Sequence, residues 1–110
     1  MAYDEGVAQR VREALESRPN VLEKRFFGGL AFMLNGYICI VVAGHELTVR
    51  VGANQYEECL KLPHARPMDF TGKPLTGFLY VGEKGFESDA DLLGWIERAV
   101  TFVSRLPSKG

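Results

Sequence analysis

Asn35-Gly36 is the feature that most narrows what this chain can become. The dipeptide sits between two apolar, β-prone runs, Leu30 to Leu34 (LAFML) and Tyr37 to Val42 (YICIVV). A two-residue type I′ turn needs positive φ at both central positions, and Asn-Gly is the pair that tolerates it best. The two runs are therefore expected to pair antiparallel. After Ala43-Gly44-His45, the run Glu46 to Val51 alternates cleanly, with Leu47, Val49 and Val51 on one face and Thr48 and Arg50 on the other. Upstream, Val21 to Phe27 reads as a first strand whose two sides both mix charged and apolar residues, the pattern of an edge strand. The expectation is an antiparallel meander. It defines a fold class and names no chemistry.

Helices frame this meander. Val7, Val11 and Leu15 recur every four residues between Asp4 and about Ser17, with Asp4 placed to cap a helix that Arg18-Pro19-Asn20 must stop. A short second helix is expected from Asn54 to Leu62, with Tyr56, Cys59 and Leu60 as its apolar stripe and Pro63 as its end. Ser88 precedes a final helix in which Leu92, Ile96, Ala99, Val100 and Val103 share a face, widened by Trp95, Phe102 and Leu106. Phe78 to Val81 reads as the last strand and Gly82 to Gly85 as a turn. Pro63 to Gly77 (PHARPMDFTGKPLTG) has no sustained period. Its Met68, Phe70 and Leu75 are poor residues for solvent, so the segment is expected to lie extended across the domain with those side chains buried, and to include a short strand at Pro67 to Phe70. The fold expected is α+β in two layers: an antiparallel sheet of about five strands packed with an N-terminal, a C-terminal and a short middle helix.

The bulk numbers exclude several classes. A chain of 110 residues supports one core. Thirteen basic residues against fourteen acidic ones argue against a surface built to hold a phosphate backbone, so direct nucleic-acid binding is not expected. The longest apolar run, Tyr37 to Ala43, is far short of the ~20 residues of a membrane helix, and MAYDEGVAQRVREAL carries charges where a secretory signal would be apolar. A cytoplasmic protein without a membrane partner is the expectation. Cys39 and Cys59 are too far apart for a CxxC pair and read as free thiols. No ligand spacing points to a metal, and no motif to a cofactor.

The residues that could carry chemistry form a short set. Phe27-Gly28-Gly29 reads as a turn or bulge device, or as a loop that lets a ligand approach the main chain; it lacks GxGxxG and a Walker lysine. His64 could be a general base oriented by Asp69, with Cys39 or Cys59 as nucleophile, or simply a structural residue of a proline-rich loop. Asp69 could accept loop N–H groups or meet an arginine. Arg25, Arg50 and Arg66 each stand among apolar neighbours, where a buried guanidinium needs a partner. One reading pairs them with Asp69 or Glu23. The other makes them a shallow site for an anion or an acidic partner segment. No catalytic constellation emerges.

Two stretches are specific enough to suggest kinship: KRFFGGLAFM-x-NG at Lys24 to Gly36 and PHARPMDFTG at Pro63 to Gly72. With the opening helix, LTVRVG and the closing amphipathic helix, they resemble the TfoX/Sxy N-terminal domain family over nearly the whole chain. The resemblance implies a small α+β domain. Full-length members are regulators of competence genes that act with a cyclic-AMP-dependent activator, and they carry a second domain similar to helix-hairpin-helix modules. Here the expectation is a single TfoX N-terminal-like domain over residues 1–110 without that second domain. The family supplies no catalytic residues. The function implied is a non-enzymatic regulatory module that works through protein contacts in transcription. The competing reading is a small ligand-binding protein or enzyme that uses the Pro63 to Gly77 loop with nearby arginines. A central strand apolar on both faces would also suit a homodimer.

Overall fold

Asn35 and Gly36 adopt φ of 54° and 87° and close the hairpin they encode. The computed structural model describes the chain except residues 1, 2, 27, 70, 71, 73, 74 and 108–110, and except the side chain of residue 26. In order, the elements are α1 (Glu5–Leu15), β1 (Val21–Phe26), β2 (Gly29–Leu34), β3 (Tyr37–Ala43), β4 (Glu46–Arg50), α2 (Ala53–Leu60), β5 (Ala65–Pro67), β6 (Phe78–Val81), a 3-10 turn (Glu83–Phe86) and α3 (Asp89–Ser104). The strands form one six-stranded sheet in the order β1-β2-β3-β4-β6-β5, antiparallel throughout. This is the two-layer α+β domain expected, with six strands. The short strand expected within Pro63 to Gly77 is β5, which pairs Ala65, Arg66 and Pro67 with Val81, Tyr80 and Leu79 at the sheet edge. It begins two residues earlier than the run Pro67 to Phe70. Proline lacks a donor N–H and fits an edge position, where it ends the pairing.

The helices cap as their sequences require. The Asp4 carboxylate accepts from the N–H groups of Gly6 and Val7 at 2.8 and 3.2 Å, and Ser88 Oγ accepts from Asp91 N–H at 3.0 Å. α1 buries Val7, Ala8, Val11 and Leu15, and α3 buries Leu92, Trp95, Ile96, Ala99, Val100 and Val103. These meet Leu30, Phe32 and Leu34 of β2, Ile40 and Val42 of β3, Leu47 and Val49 of β4, and Leu79 and Val81 of β6 in one core. Cys59 of α2 joins the same core. All three helices therefore lie on one side of the sheet. No described helix is long and apolar enough to cross a membrane.

The central strand departs from strict alternation. Phe32 pairs with Ile40 but Met33 with Ile38, so Cys39 is an extra residue, a β-bulge. The bulge turns Cys39 into the core beside Ile40 and Val42, rather than onto the opposite face with Val41. Both cysteines are free and buried, and burial pushes the Cys39 thiol up to about 12.

Beyond β5, the Pro63 to Gly77 segment does not stay extended. Gly72 N–H donates to the Asp69 carbonyl at 2.9 Å and Leu75 N–H to the Met68 carbonyl at 2.9 Å, so the segment folds back on itself. That reversal leaves Leu75 48 % exposed and Met68 only half-buried, correcting the burial expected for them. Phe70 lies outside the described residues.

Glu23 on β1 is claimed by α1. Arg12 reaches its carboxylate with Nε at 2.5 Å and Nη2 at 2.8 Å, and this bidentate contact holds the Glu23 carboxyl below its usual value of 4.5. A depressed carboxylate contributes stability above its unfolded pKa and loses it as the pH falls through the lower folded value. Because both partners are about a third exposed, Glu23→Gln should cost only about 0.2–1 kcal/mol at neutral pH. Denaturant titrations should find the difference from wild type gone well below pH 4.5. A difference that persisted there would assign the loss to packing instead of charge.

Candidate functional site

The candidate residues do not converge. Arg25, Gly28 and Gly29 belong to the β1–β2 corner at one edge of the sheet; Arg66 and Asp69 belong to β5 and its exit at the other. Five inter-strand gaps separate those edges, roughly 24 Å at ~4.8 Å each. Gly28 turns the chain with φ of 80°, and Gly29 opens β2 opposite Phe26. Phe27 lies outside the described residues. Arg25 is exposed opposite Leu30 and pairs with neither Asp69 nor Glu23; Glu23 is already held by Arg12.

Arg50 finds aromatic rings where a carboxylate was expected. Its guanidinium carbon stands 5.6 Å from the Tyr37 ring, 5.1 Å from Phe78 and 5.6 Å from Phe102, and Nη1 donates to the Ile38 carbonyl at 3.4 Å. Each such ring contact is worth about 0.5–2 kcal/mol depending on desolvation, so three together can hold a half-buried cation. Arg66 does pair, but with Glu46 at 2.6 Å, while its guanidinium stacks 5.0 Å over Tyr80. Glu46, Thr48, Tyr80 and Arg66 share the helix-free face of the sheet with Ala31, Met33, Ile38, Val41 and Phe78. Of these, Met33, Ile38, Phe78 and Tyr80 are half-buried and Arg66 is exposed. The outward face of an antiparallel sheet ordinarily alternates to polar residues; this one keeps an apolar centre, with the Arg66–Glu46 pair, Arg50 opposite Phe78 and Lys24 opposite Ala31 as its charged members.

His64 lies on the other side of the edge strand. It occupies the left-handed region at φ of 69°, and its carbonyl accepts from Gly82 N–H at 2.9 Å. Among the described residues no hydrogen bond joins it to Asp69 or to either cysteine. It lines a cleft of ≈ 480 Å³ with Leu62, Pro63, Lys84, Gly85, Asp91, Trp95 and Arg98. Lys84, Asp91, Trp95 and Arg98 escaped sequence reasoning. The one available signal was Trp95 and Arg98 at a spacing that puts them on one helix face.

An antiparallel sheet with its helices on one side, preceded and followed by capped amphipathic helices, defines a small two-layer α+β domain. A family model for the TfoX N-terminal domain matches residues 13–103, and the chain belongs to that family. Searches of curated proteins and of solved structures returned no significant match.

Proposed function

We propose that the chain is a non-enzymatic regulatory module, acting in the cytoplasm, that contacts a protein of the transcription machinery through the helix-free face of its sheet. The observation that carries this reading is the composition of that face: half-buried Met33, Ile38, Phe78 and Tyr80 beside the Arg66–Glu46 pair. Apolar area rimmed by a charged pair is the usual make-up of a protein-binding patch, and Tyr and Arg are the residues that most often dominate one. Membership of the TfoX N-terminal family supports a partner in transcription. The near-neutral charge favours a protein over nucleic acid.

Affinity capture from a bacterial lysate tests the reading. Wild type should retain a transcription factor or a polymerase subunit, and Arg66→Glu should weaken retention by about tenfold or more, the effect of losing one dominant contact. The exchanged pair Arg66→Glu with Glu46→Arg keeps an ion pair and should remain weak, since the partner reads the charge layout. Repeated capture of no such protein, or capture that ignores the charge reversal, would sink the proposal. Sedimentation showing a dimer broken by Arg66→Glu would reassign the face to a second copy of the chain.

A further inference from the structure

We propose that the cleft between the Pro63-His64 turn, the 3-10 turn and α3 binds a small organic phosphate through Arg98, Lys84 and His64. This site lies on the helix side of the domain and is independent of the sheet face proposed above. Arg98 is held in place before any ligand arrives. Its guanidinium lies 5.0 Å over the Trp95 ring, and Trp95 Nε1 donates to the Gly85 carbonyl at 3.2 Å, tying α3 to the 3-10 turn. Among the described residues, neither Arg98 nor Lys84 has a carboxylate within ion-pair distance, although Arg10, Arg12, Arg18 and Arg66 all do. A pre-positioned guanidinium fork with free donors is suited to an oxyanion.

The walls are fixed by backbone. A Cβ on Gly85 would stand 2.6 Å from Val81 Cγ1 and 3.1 Å from His64 Cβ, so the His64 turn packs directly on a glycine. His64 stays in the left-handed region, which costs a non-glycine residue conformational energy. Surrounding structure must hold such a residue, and such positions cluster at ligand sites.

Charge and size choose the ligand class. The lining carries Lys84 and Arg98, with His64 as a further donor, against Asp91 alone. A lone carboxylate would need only the Arg98 fork; the additional Lys84 and His64 suit a dianion. The cleft's ≈ 480 Å³ is room for a whole metabolite, within the roughly 300–1,000 Å³ of small-molecule sites. A nucleic-acid backbone is disfavoured by the near-neutral charge of the whole chain, thirteen basic residues against fourteen acidic.

Trp95 is the chain's only tryptophan, so the site carries its own reporter. The intact chain is titrated with glucose 6-phosphate, inorganic phosphate and citrate at constant ionic strength set with chloride. Trp95 fluorescence and the Gly85 and Gly94 amide resonances are followed together. Saturable changes with glucose 6-phosphate are expected. Arg98→Gln should weaken binding about tenfold or more, as for loss of a charge-assisted bidentate contact. Lys84→Gln, at an exposed position where folding is not at stake, should weaken it as well. Asp91→Asn should tighten binding by about threefold, the effect of deleting one like charge several ångströms away in a mostly aqueous dielectric. Arg105→Gln, at the C-cap of α3 and outside the cleft, should change nothing. The proposal is overturned if neither probe saturates, if Asp91→Asn and Lys84→Gln bind as wild type, or if citrate saturates while both phosphates do not.

Discussion

Replacing Gly52 by alanine should lower the unfolding free energy by about 2–6 kcal/mol, combining backbone strain of ~1–3 with overpacking of ~1–3. Gly52 has φ of 86° and ψ of 158°, a region essentially closed to residues with a Cβ. An added Cβ would also stand 2.9 Å from Phe102 Cγ and closer still to two other ring carbons. The backbone has no room to retreat. Val51 and Gly52 N–H both donate to the Gly77 carbonyl, at 2.8 and 3.1 Å, where the β4–α2 link crosses the chain entering β6. Gly44→Ala is the control. Its φ is 59° with nothing within 4 Å of the added carbon, so only the milder left-handed strain applies, about 1 kcal/mol. Phe102→Ala in the Gly52→Ala background should restore part of the loss, because the two sites touch and will not be additive. Equal melting of the Gly44 and Gly52 variants would show that the ring yields freely and that the crossing is loose.

Phe32→Ala should have a comparable effect for a different reason. Phe32 is 1 % exposed and is among the largest fully buried side chains, pinned between β1 and β3 by pairing with Glu23 and Ile40. Deleting a core aromatic costs about 3–5 kcal/mol through lost transfer energy and the cavity left behind. In a domain of this size each kcal/mol lowers the melting temperature by roughly 4–8 °C, so a fall of about 12 °C or more is expected. The exposed Leu22 on the neighbouring strand offers the contrast: at 69 % exposure, Leu22→Ala should melt close to wild type. A Phe32 variant melting with the Leu22 variant would mean that the sheet can collapse into the space.

The two proposals use opposite sides of one domain. The sheet face offers Arg66, Glu46 and Tyr80 to a protein, while the cleft offers Arg98 and Lys84 to a small anion. α3 connects them physically: it lines the cleft with Trp95 and Arg98 and supplies Phe102 to the rings around Arg50 on β4.

What the sequence determined by itself was local. Asn35-Gly36 encoded its hairpin, Asp4 and Ser88 their caps, and the four-residue recurrences the buried faces of α1 and α3, because turns, caps and helix periods depend on residues a few positions apart. The mixed charge of Val21 to Phe27 likewise marked the first strand as an edge, and β1, Val21–Phe26, is one. The tertiary structure decided everything that joined distant residues. Alternation placed Cys39 opposite Ile40, but the bulge that turns it inward arises from pairing with β2, which no strand reads from its own period. Arg66 chose Glu46 over Asp69 because β5 lies beside β6 and β6 beside β4, bringing residues twenty apart onto one face. Of the cleft only His64 was visible beforehand. Its charges come from three separate segments, and their alignment is a product of the Gly85 contact and the Trp95 hydrogen bond, neither of which leaves a repeat or a spacing in the chain.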